Sequence, residues 1–321
     1  SVALTNNGVY LELIGVFSEK VVVVTSGRPP SRKLNVGNVS KHAFYQQGSG
    51  SNTLVFMYSV QPGDEDSNGV RMNSTISLNN GSIQDERSNN VPLLLNNIKS
   101  TAGILVDAIA PSIKNISIPV SKLYKEGDTL AFLVNFTEKV MVNITGDTPF
   151  IKLVISNIVK NIRYINGSGT PGFTFRYIVQ KGDLDKNGIK IDSVLSTGNS
   201  GITDSAGNTA IKNLKNTGAL SGVKIDAVAP VFVPGNTGIS ICENAAATSI
   251  TELLVVSDDE AGELLTWRIT TGSDNGTITK PVYSATSNGS GVTPNGILYK
   301  PLLSYTGQDT IFIQVSDGVN T

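Results

Sequence analysis

The chain has 321 residues, a formal net charge of −1 and only 16% charged residues. Lys and Arg form no runs, so the electrostatic footprint of a protein that binds nucleic acid is missing. No apolar stretch reaches the roughly 20 residues of a membrane-spanning helix, and no membrane insertion is expected in this segment. The only cysteine, Cys242, excludes an intrachain disulfide framework. Thr, Val, Ile, Asn, Ser and Gly dominate the composition, which favours strands and turns over amphipathic helices.

Residues 1–111 and 120–230 align without a gap at a constant offset of 119, and 40 of the 111 pairs are identical. The chain is therefore divided into a first unit (1–111), a second unit (112–230) and a different third unit (231–321). Because the match begins at the first residue, we expect the chain to be a piece of a longer protein. A tandem array supplies length and multivalency, whereas a catalytic site is normally needed once.

Short apolar or alternating runs follow one another along each repeat, separated by Gly-, Asn- and Asp-rich turns. In the first unit they are LELIGVF (11–17), VVVV (21–24) and LVFMYSV (54–60). In the second unit they are LAFLVNF (130–136), VMVNI (140–144), FIKLVI (150–155), FTFRYIV (173–179) and IKID (189–192). About seven short strands in 110 residues predict an antiparallel β-sandwich of immunoglobulin-like type. The fold class is all-β, and no window has a convincing helical period.

Both repeats end in a strand followed by Asp, three small or branched residues and Pro: VDAIAP (106–111) and IDAVAP (225–230). Proline cannot donate a ladder hydrogen bond and restricts φ, so strand pairing should stop there. We expect short, stiff linkers, and three sandwiches in line would form a rod on the order of 100 Å long.

A DxDxNG motif occurs in each repeat and is a candidate calcium loop. Oxygen-bearing side chains at alternate positions before a glycine can converge on a hard cation. The bidentate Glu of a complete helix-loop-helix site is absent, since Thr75 and Val194 stand at its position. The alternative is an Asp/Asn/Gly turn held by its own side-chain hydrogen bonds. The candidate ligands are Asp64, Asp66 and Asn68 in the first unit and Asp183, Asp185 and Asn187 in the second.

The linker aspartates Asp107 and Asp226 are the second set of candidate calcium ligands, because each lies where two units meet. Glu19 and Glu138, in the sequences FSEKV and FTEKV, are candidate partners, as is Asp128 for the first junction. The alternative is that these aspartates cap backbone amides or pair with a nearby lysine.

The ordered set F[ST]EKV, GSG, FxYxV, GDxDxNG[VI], IxD and DAxAP resembles the immunoglobulin-like repeats of very large bacterial surface adhesins. The third unit, with APVF, CENA, VVSDDEAGELLTW, NGILYKP and YTGQDTIFIQVSDG, resembles bacterial cadherin-like repeats. By that resemblance Glu243, Asp258 and Glu260 would be calcium ligands. The acidic triplet that cadherins place before their last strands is absent, with Leu302, Leu303 and Ser304 in that region.

The resemblance implies a non-catalytic stalk or adhesive segment of an exported bacterial protein at the cell surface, stiffened by Ca²⁺. Its expected partners are neighbouring repeats of the same chain and a surface glycan or protein ligand. Two alternatives stay open: a carbohydrate-binding module, with Tyr10, Tyr124, Tyr283 and Tyr305 as candidate stacking residues, and an accessory region of a secreted enzyme.

Enzymatic interpretations find little support in the residues. The only histidine, His42, aligns with Asn161 in the second repeat, and no nucleophile turn surrounds it. One His and one Cys cannot close a zinc site without carboxylates. No dinucleotide-binding or phosphate-binding glycine loop is present, and no carboxylate pair stands out as a glycosidase site.

Overall fold

The computed structural model describes residues 3–215, 217–235, 237–259 and 261–321. Within them the chain is built from β-strands arranged mainly in antiparallel sheets, with one 3₁₀ turn at Thr251–Leu254 and no α-helix. This confirms the all-β prediction. The buried apolar residues form three separate clusters, from Leu11 to Ala108, from Ile113 to Ala227 and from Ile250 to Val315.

The first unit has a six-stranded sheet in the order β7-β3-β4-β5-β2-β8 and a three-stranded sheet in the order β1-β9-β6. Its strands are β1 Ala3–Thr5, β2 Tyr10–Val24, β3 Ser31–Val36, β4 Val39–Gln47, β5 Ser51–Ser59, β6 Glu65–Asp66, β7 Arg71–Ser77, β8 Ser82–Asp85 and β9 Ile104–Asp107.

The second unit repeats this plan, with the path β10-β12-β15-β14-β13-β17, strand β18 paired with β12, and a small sheet β11-β19-β16. Its strands are β10 Ile113–Ser117, β11 Lys122–Tyr124, β12 Thr129–Asn143, β13 Phe150–Ile155, β14 Ile158–Asn166, β15 Thr170–Ile178, β16 Leu184–Asp185, β17 Lys190–Ile191, β18 Gly201–Thr203 and β19 Val223–Asp226.

The third unit contains three three-stranded sheets, β20-β22-β26, β21-β27-β24 and β25-β23-β28, around the fully buried Trp267. Its strands are β20 Val231–Phe232, β21 Thr248–Ser249, β22 Val256–Ser257, β23 Ala261–Thr271, β24 Gly276–Ile278, β25 Val282–Asn288, β26 Gly291–Val292, β27 Leu298–Pro301 and β28 Phe312–Ser316.

Two strand pairs depart from the antiparallel expectation. The first strand of the small sheet in each repeat runs parallel to the last strand, β1 with β9 and β11 with β19. The chain therefore enters and leaves this sheet in the same direction.

The F[ST]EKV sequence marks a break in the register of a long strand. In β12 the pairing with β15 is regular from Thr129 to Asn135 and resumes only at Val140, while Phe136 and Val140 are both buried. Between these pairs β12 advances five residues while β15 advances two, so the bulge inserts extra residues and redirects the strand. β12 then pairs with β18 through residues 141–143. Glu138 therefore lies in the bulge, at the end of the unit that faces the first linker.

The last glycine of the DxDxNG motif is required by the close approach of two backbone segments. Gly188 has a φ of +96°, and a Cβ on it would lie 2.4 Å from Cα of Ser221. Gly69 has the same geometry in the first unit, with Cα of Ala102 at 2.5 Å. Only glycine tolerates both the positive φ and the contact.

We therefore expect Gly188→Ala to lower the free energy of unfolding of the second unit by more than about 2 kcal/mol, because strain at positive φ adds to a backbone clash. Gly182→Ala is the matched control, since Gly182 has a φ of +86° and open space around its Cβ position. Denaturant unfolding of the full chain measures both. Equal losses in the two variants would show that the contact with Ser221 does not matter.

Candidate cation sites at the unit junctions

In the first unit, protein donors already occupy the carboxylates of the DxDxNG loop. Asp64 is buried, accepts a hydrogen bond from the Tyr58 hydroxyl and pairs with Lys41 Nζ at 2.6 Å. Asp66 accepts from the amides of Gly37 at 2.6 Å and Gly69 at 2.7 Å. Burial alone would raise the pKa of Asp64, but hydrogen bonds from Lys41 and Tyr58 outweigh it and leave that pKa below its ordinary value.

The second unit repeats these contacts. Tyr177 donates to Asp183 at 2.5 Å, and Lys160 lies 3.5 Å from the other oxygen of that carboxylate. Asp185 accepts from the amides of Ser156 at 2.6 Å and Asn187 at 3.2 Å. All four loop aspartates are buried. They have the geometry of the structural turn, so we do not place a cation among them.

At the first junction the structure brings together three carboxylates from two units. Oxygens of Asp107, Glu138 and Asp204 lie within 4.8 Å of one another. Two oxygens that bind the same calcium ion at about 2.4 Å can lie no more than about 4.8 Å apart. Burial, followed by the negative charges of Asp107, Asp204 and Glu65, raises the pKa of Glu138. Glu138 was expected as a partner of Asp107; Asp204 was not expected.

A turn in the second unit contacts the linker directly. The buried Asp204 accepts from the amides of Ala206 and Asn208 at 2.9 Å, which fixes an Asp-x-x-x-Asn turn. The Asn208 amide group donates to Asp204 at 2.8 Å and to the carbonyl oxygen of Asp107 at 2.8 Å. One asparagine therefore ties the second unit to the last strand of the first.

The second junction has the same components. Asp226, Glu263 and Asp317 place oxygens within 4.8 Å of one another. Asn320, in an Asp-x-x-Asn turn that begins at Asp317, donates to Asp226 at 3.0 Å and to the carbonyl oxygen of Val228 at 3.2 Å. Asp226 follows Asp107 by the repeat offset of 119. The third unit, which does not align with the repeats, thus contacts the linker in the same way as the second.

Three carboxylate oxygens at the second junction are buried and accept no hydrogen bond from the described residues: Oδ2 of Asp226, Oδ2 of Asp258 and Oε2 of Glu263. Asp226 and Asp258 are only 1% and 3% exposed. A buried carboxylate without a partner is costly. Burial, then the charges of Glu263, Asp317 and Asp226, raises the pKa of Asp258 to about 6, although Lys186 opposes the shift.

This donor set fits a hard divalent cation. Carboxylates and backbone carbonyls are the ligands that Ca²⁺ prefers, and Ca²⁺ accepts an irregular arrangement of six to eight oxygens. Within the described residues these two clusters contain no histidine or cysteine, so they do not have the usual donors of zinc. Asp226, Glu263 and Asp317 would hold the ion at the second junction. Its positive charge would offset the buried oxygens that accept no hydrogen bond from the described residues, including Oδ2 of the nearby Asp258.

Two expected ligands lie elsewhere. Asp128 precedes β12 at the end opposite Glu138, ten residues or about 33 Å along the strand, and pairs with Lys122 at 3.3 Å. Glu243 is exposed. Its neighbour Asn244 contacts the amide of Ser304, at the end of the third unit away from Asp258. The structure brings neither Asp128 nor Glu243 into a junction, and Glu260 lies outside the described residues.

Asp204, Glu263 and Asp317 were not recognised as candidate ligands from the sequence. Asp204 and Asn208 have a signal in the alignment, because Asp85 and Asn89 stand at the same positions of the first repeat. Asp317 and Asn320 form the related sequence DGVN near the end of the third unit. Glu263 has no such signal, since it belongs to a unit outside the repeat.

A scan against known protein families finds no matching family model. A search of the curated proteins also finds none that matches this chain. Among the described residues, no helix has both the length and the apolar character needed to span a membrane.

The raised pKa of Asp258 predicts a pH-dependent stability in chelator. The folded pKa is about 6, whereas the unfolded value is about 3.9, so the folded state binds more protons between these values. Stability should fall as pH rises from about 4 to about 6, by no more than about 3 kcal/mol.

Thermal unfolding in EDTA at pH 4 and pH 7 measures this loss, which Asp258→Asn should reduce; the remainder belongs to Asp226, whose pKa is also raised by burial. Asp274→Asn is the control, because Asp274 is exposed and is not among the charges that shift the pKa of Asp258. If the Asp258→Asn variant loses as much stability as the wild type over this pH range, the burial of Asp258 is not its cause.

The aspartates of the DxDxNG loops should stabilise the chain to the same extent with and without calcium. Asp185→Asn removes the charge that holds two backbone amides, and we expect a loss of about 1–3 kcal/mol in the stability of the second unit. The loss of stability should be the same in about 5 mM CaCl₂ as in EDTA. A loss that appears only in calcium would place an ion in the DxDxNG loop.

Proposed function

We propose that this chain is a non-catalytic spacer segment of a large exported bacterial surface adhesin. It consists of two immunoglobulin-like units and one cadherin-like unit in an extended rod, stiffened by calcium at the junctions. The proposal rests on one kind of contact that occurs at both junctions. In each, a linker aspartate lies beside a glutamate and an Asp/Asn turn of the next unit.

The first unit supports the proposal because it carries the same contact surface at its own leading end. Asp85 accepts from the amides of Arg87 and Asn89 at 2.8 Å, and the Asn89 amide group donates back at 2.8 Å. Glu19, the counterpart of Glu138, is exposed in the corresponding bulge. Within the described residues no third carboxylate joins this pair. Interchangeable ends are what a modular array requires.

Calcium would act on the array through electrostatics. Without a cation, carboxylates from two units repel each other at short range, and repulsion favours separation of the units. An ion bound between them replaces this repulsion by attraction and also stabilises the folded array, because the unfolded chain lacks the site. Rigid junctions then extend any binding tip and allow many weak contacts to add as avidity.

The distribution of aromatic residues favours a spacer over a carbohydrate-binding module. Of the four candidate stacking residues, only Tyr10 is exposed, at 60%, whereas Tyr124 and Tyr283 are buried at 4% and 6%. Tyr305 is half-buried and donates to the carbonyl oxygen of Gln308. Tyr10, the one exposed ring among these candidates, is by itself a poor stacking platform. We expect the purified chain to bind nothing on a glycan array, and reproducible binding would favour the carbohydrate-binding alternative.

Calcium should raise the thermal unfolding midpoint of the full chain. A site bound only in the folded state gains about 2.7 kcal/mol when free calcium exceeds Kd one hundredfold. The double variant Glu138→Gln with Asp204→Asn should lose the part of the shift that belongs to the first junction. Differential scanning calorimetry in CaCl₂ and in EDTA measures the effect.

The matched control is Glu19→Gln with Asp85→Asn, which makes the same changes in the same bulge and turn of the first unit. It should keep the full calcium shift, because within the part of the chain that the structure describes no linker carboxylate meets Glu19 and Asp85. An unchanged midpoint in the wild type would remove calcium from the proposal. A shift lost equally in both double variants would place the ion away from the first junction.

A further inference from the structure

Lys186 connects the second and third units at their junction. It follows β16, whose residue Leu184 pairs with Asp226 in β19, so the loop starts beside the linker aspartate. Its ammonium group forms an ion pair and hydrogen bond with Oε1 of Glu263 in the third unit, and it lies 4.0 Å from Oδ2 of Asp226. One positive group therefore contacts a carboxylate on each side of the junction.

The same carboxylates hold the oxygens that a cation would bind. Oδ2 of Asp226 and Oε2 of Glu263 are buried without a hydrogen bond from the described residues, as is Oδ2 of Asp258. Among the ion pairs of the described residues, Lys186 is the cation that contacts Asp226 and Glu263, and Asp258 and Asp317 add two more negative charges beside them. Negative charge therefore remains in excess. A divalent ion and the lysine must share these ligands.

The first junction lacks this lysine. Its loop has the same register, with Glu65 opposite Asp107 where Leu184 lies opposite Asp226. The residue that corresponds to Lys186 at the offset of 119 is Ser67. Among the ion pairs of the described residues, none joins a lysine or arginine to Asp107, Glu138 or Asp204. The chain therefore contains the two forms of one junction, with and without a built-in positive charge.

We propose that Lys186 is an internal cation of the second junction: it holds Glu263 against Asp226 when calcium is absent and competes with calcium for these carboxylates. The two junctions then differ in their response. Removal of calcium loosens the first junction, whereas the second stays closed through Lys186. The competition half of this inference rests on the calcium sites of the proposed function; the tether in the absence of metal does not.

The test exchanges the two residues in the full chain. Lys186→Ser gives the second junction the residue of the first, and Ser67→Lys does the reverse. Lys186→Met keeps the aliphatic stem without the charge, and Lys186→Arg keeps the charge. The exposed Cys242 is replaced by Ser, so that pairs of spin labels across each junction report distance distributions by electron paramagnetic resonance. Isothermal titration with CaCl₂ measures affinity.

In EDTA we expect a narrow distance distribution across the second junction of the wild type and of Lys186→Arg. Lys186→Ser and Lys186→Met should broaden it, while Ser67→Lys should narrow the distribution across the first junction. In CaCl₂, Lys186→Ser should bind calcium about tenfold more tightly at the second junction, which corresponds to about 1.4 kcal/mol, and should recover the narrow distribution.

Two results would overturn the inference separately. A distribution in EDTA that is the same for Lys186→Ser and the wild type would remove the tether. A calcium affinity that does not increase in Lys186→Ser would remove the competition. If no variant binds calcium, the cation part of the proposed function fails, but the distributions in EDTA still decide whether Lys186 holds the junction.

Discussion

The structure depends on how each buried carboxylate is compensated. Seven described aspartates are buried, and a buried charge is tolerated only with hydrogen-bond donors, an opposite charge or a metal ion. Five of them, in the DxDxNG loops and at Asp204, receive backbone amides, tyrosine hydroxyls or lysines of their own unit. Only Asp226 and Asp258, at the second junction, have oxygens without a donor from the described residues.

This division separates folding from assembly. The compensated aspartates hold turns within a unit. Their partners, Tyr58 and Lys41 or Tyr177 and Lys160, belong to the same unit, so this compensation does not depend on contact with a neighbouring unit. The junction carboxylates come from different units and repel one another unless a positive charge lies between them. The balance of charge at each junction therefore affects how firmly two units are joined, beside the hydrogen bonds of Asn208 and Asn320.

The two junctions show how a tandem chain can vary its joints without changing its modules. The same linker aspartate, glutamate and Asp/Asn turn occur at both, although the third unit does not align with the repeats. The loop after β6 has Ser67 where the loop after β16 has Lys186, and this one difference changes the charge of the junction. This position is not part of a hydrophobic core, so repeats of one fold can differ there at little cost to the stability of the unit.

The sequence by itself determined the repeat, the all-β class and the strand-and-turn pattern, because local periodicity and a gapless offset carry this information. It also named Asp107, Asp226 and Glu138 as candidate junction residues. It left the DxDxNG motif open between a calcium loop and a structural turn. Only the tertiary structure decided where the donors lie: Tyr58 and Lys41 reach Asp64 from neighbouring strands, and Asn208 reaches Asp107 across 101 positions of the chain. Glu263, Asp317 and Lys186 join the second junction for the same reason. Their sequence context shows a strand, a turn and a loop, and only the packing of two units brings their charges within a few ångströms of one another.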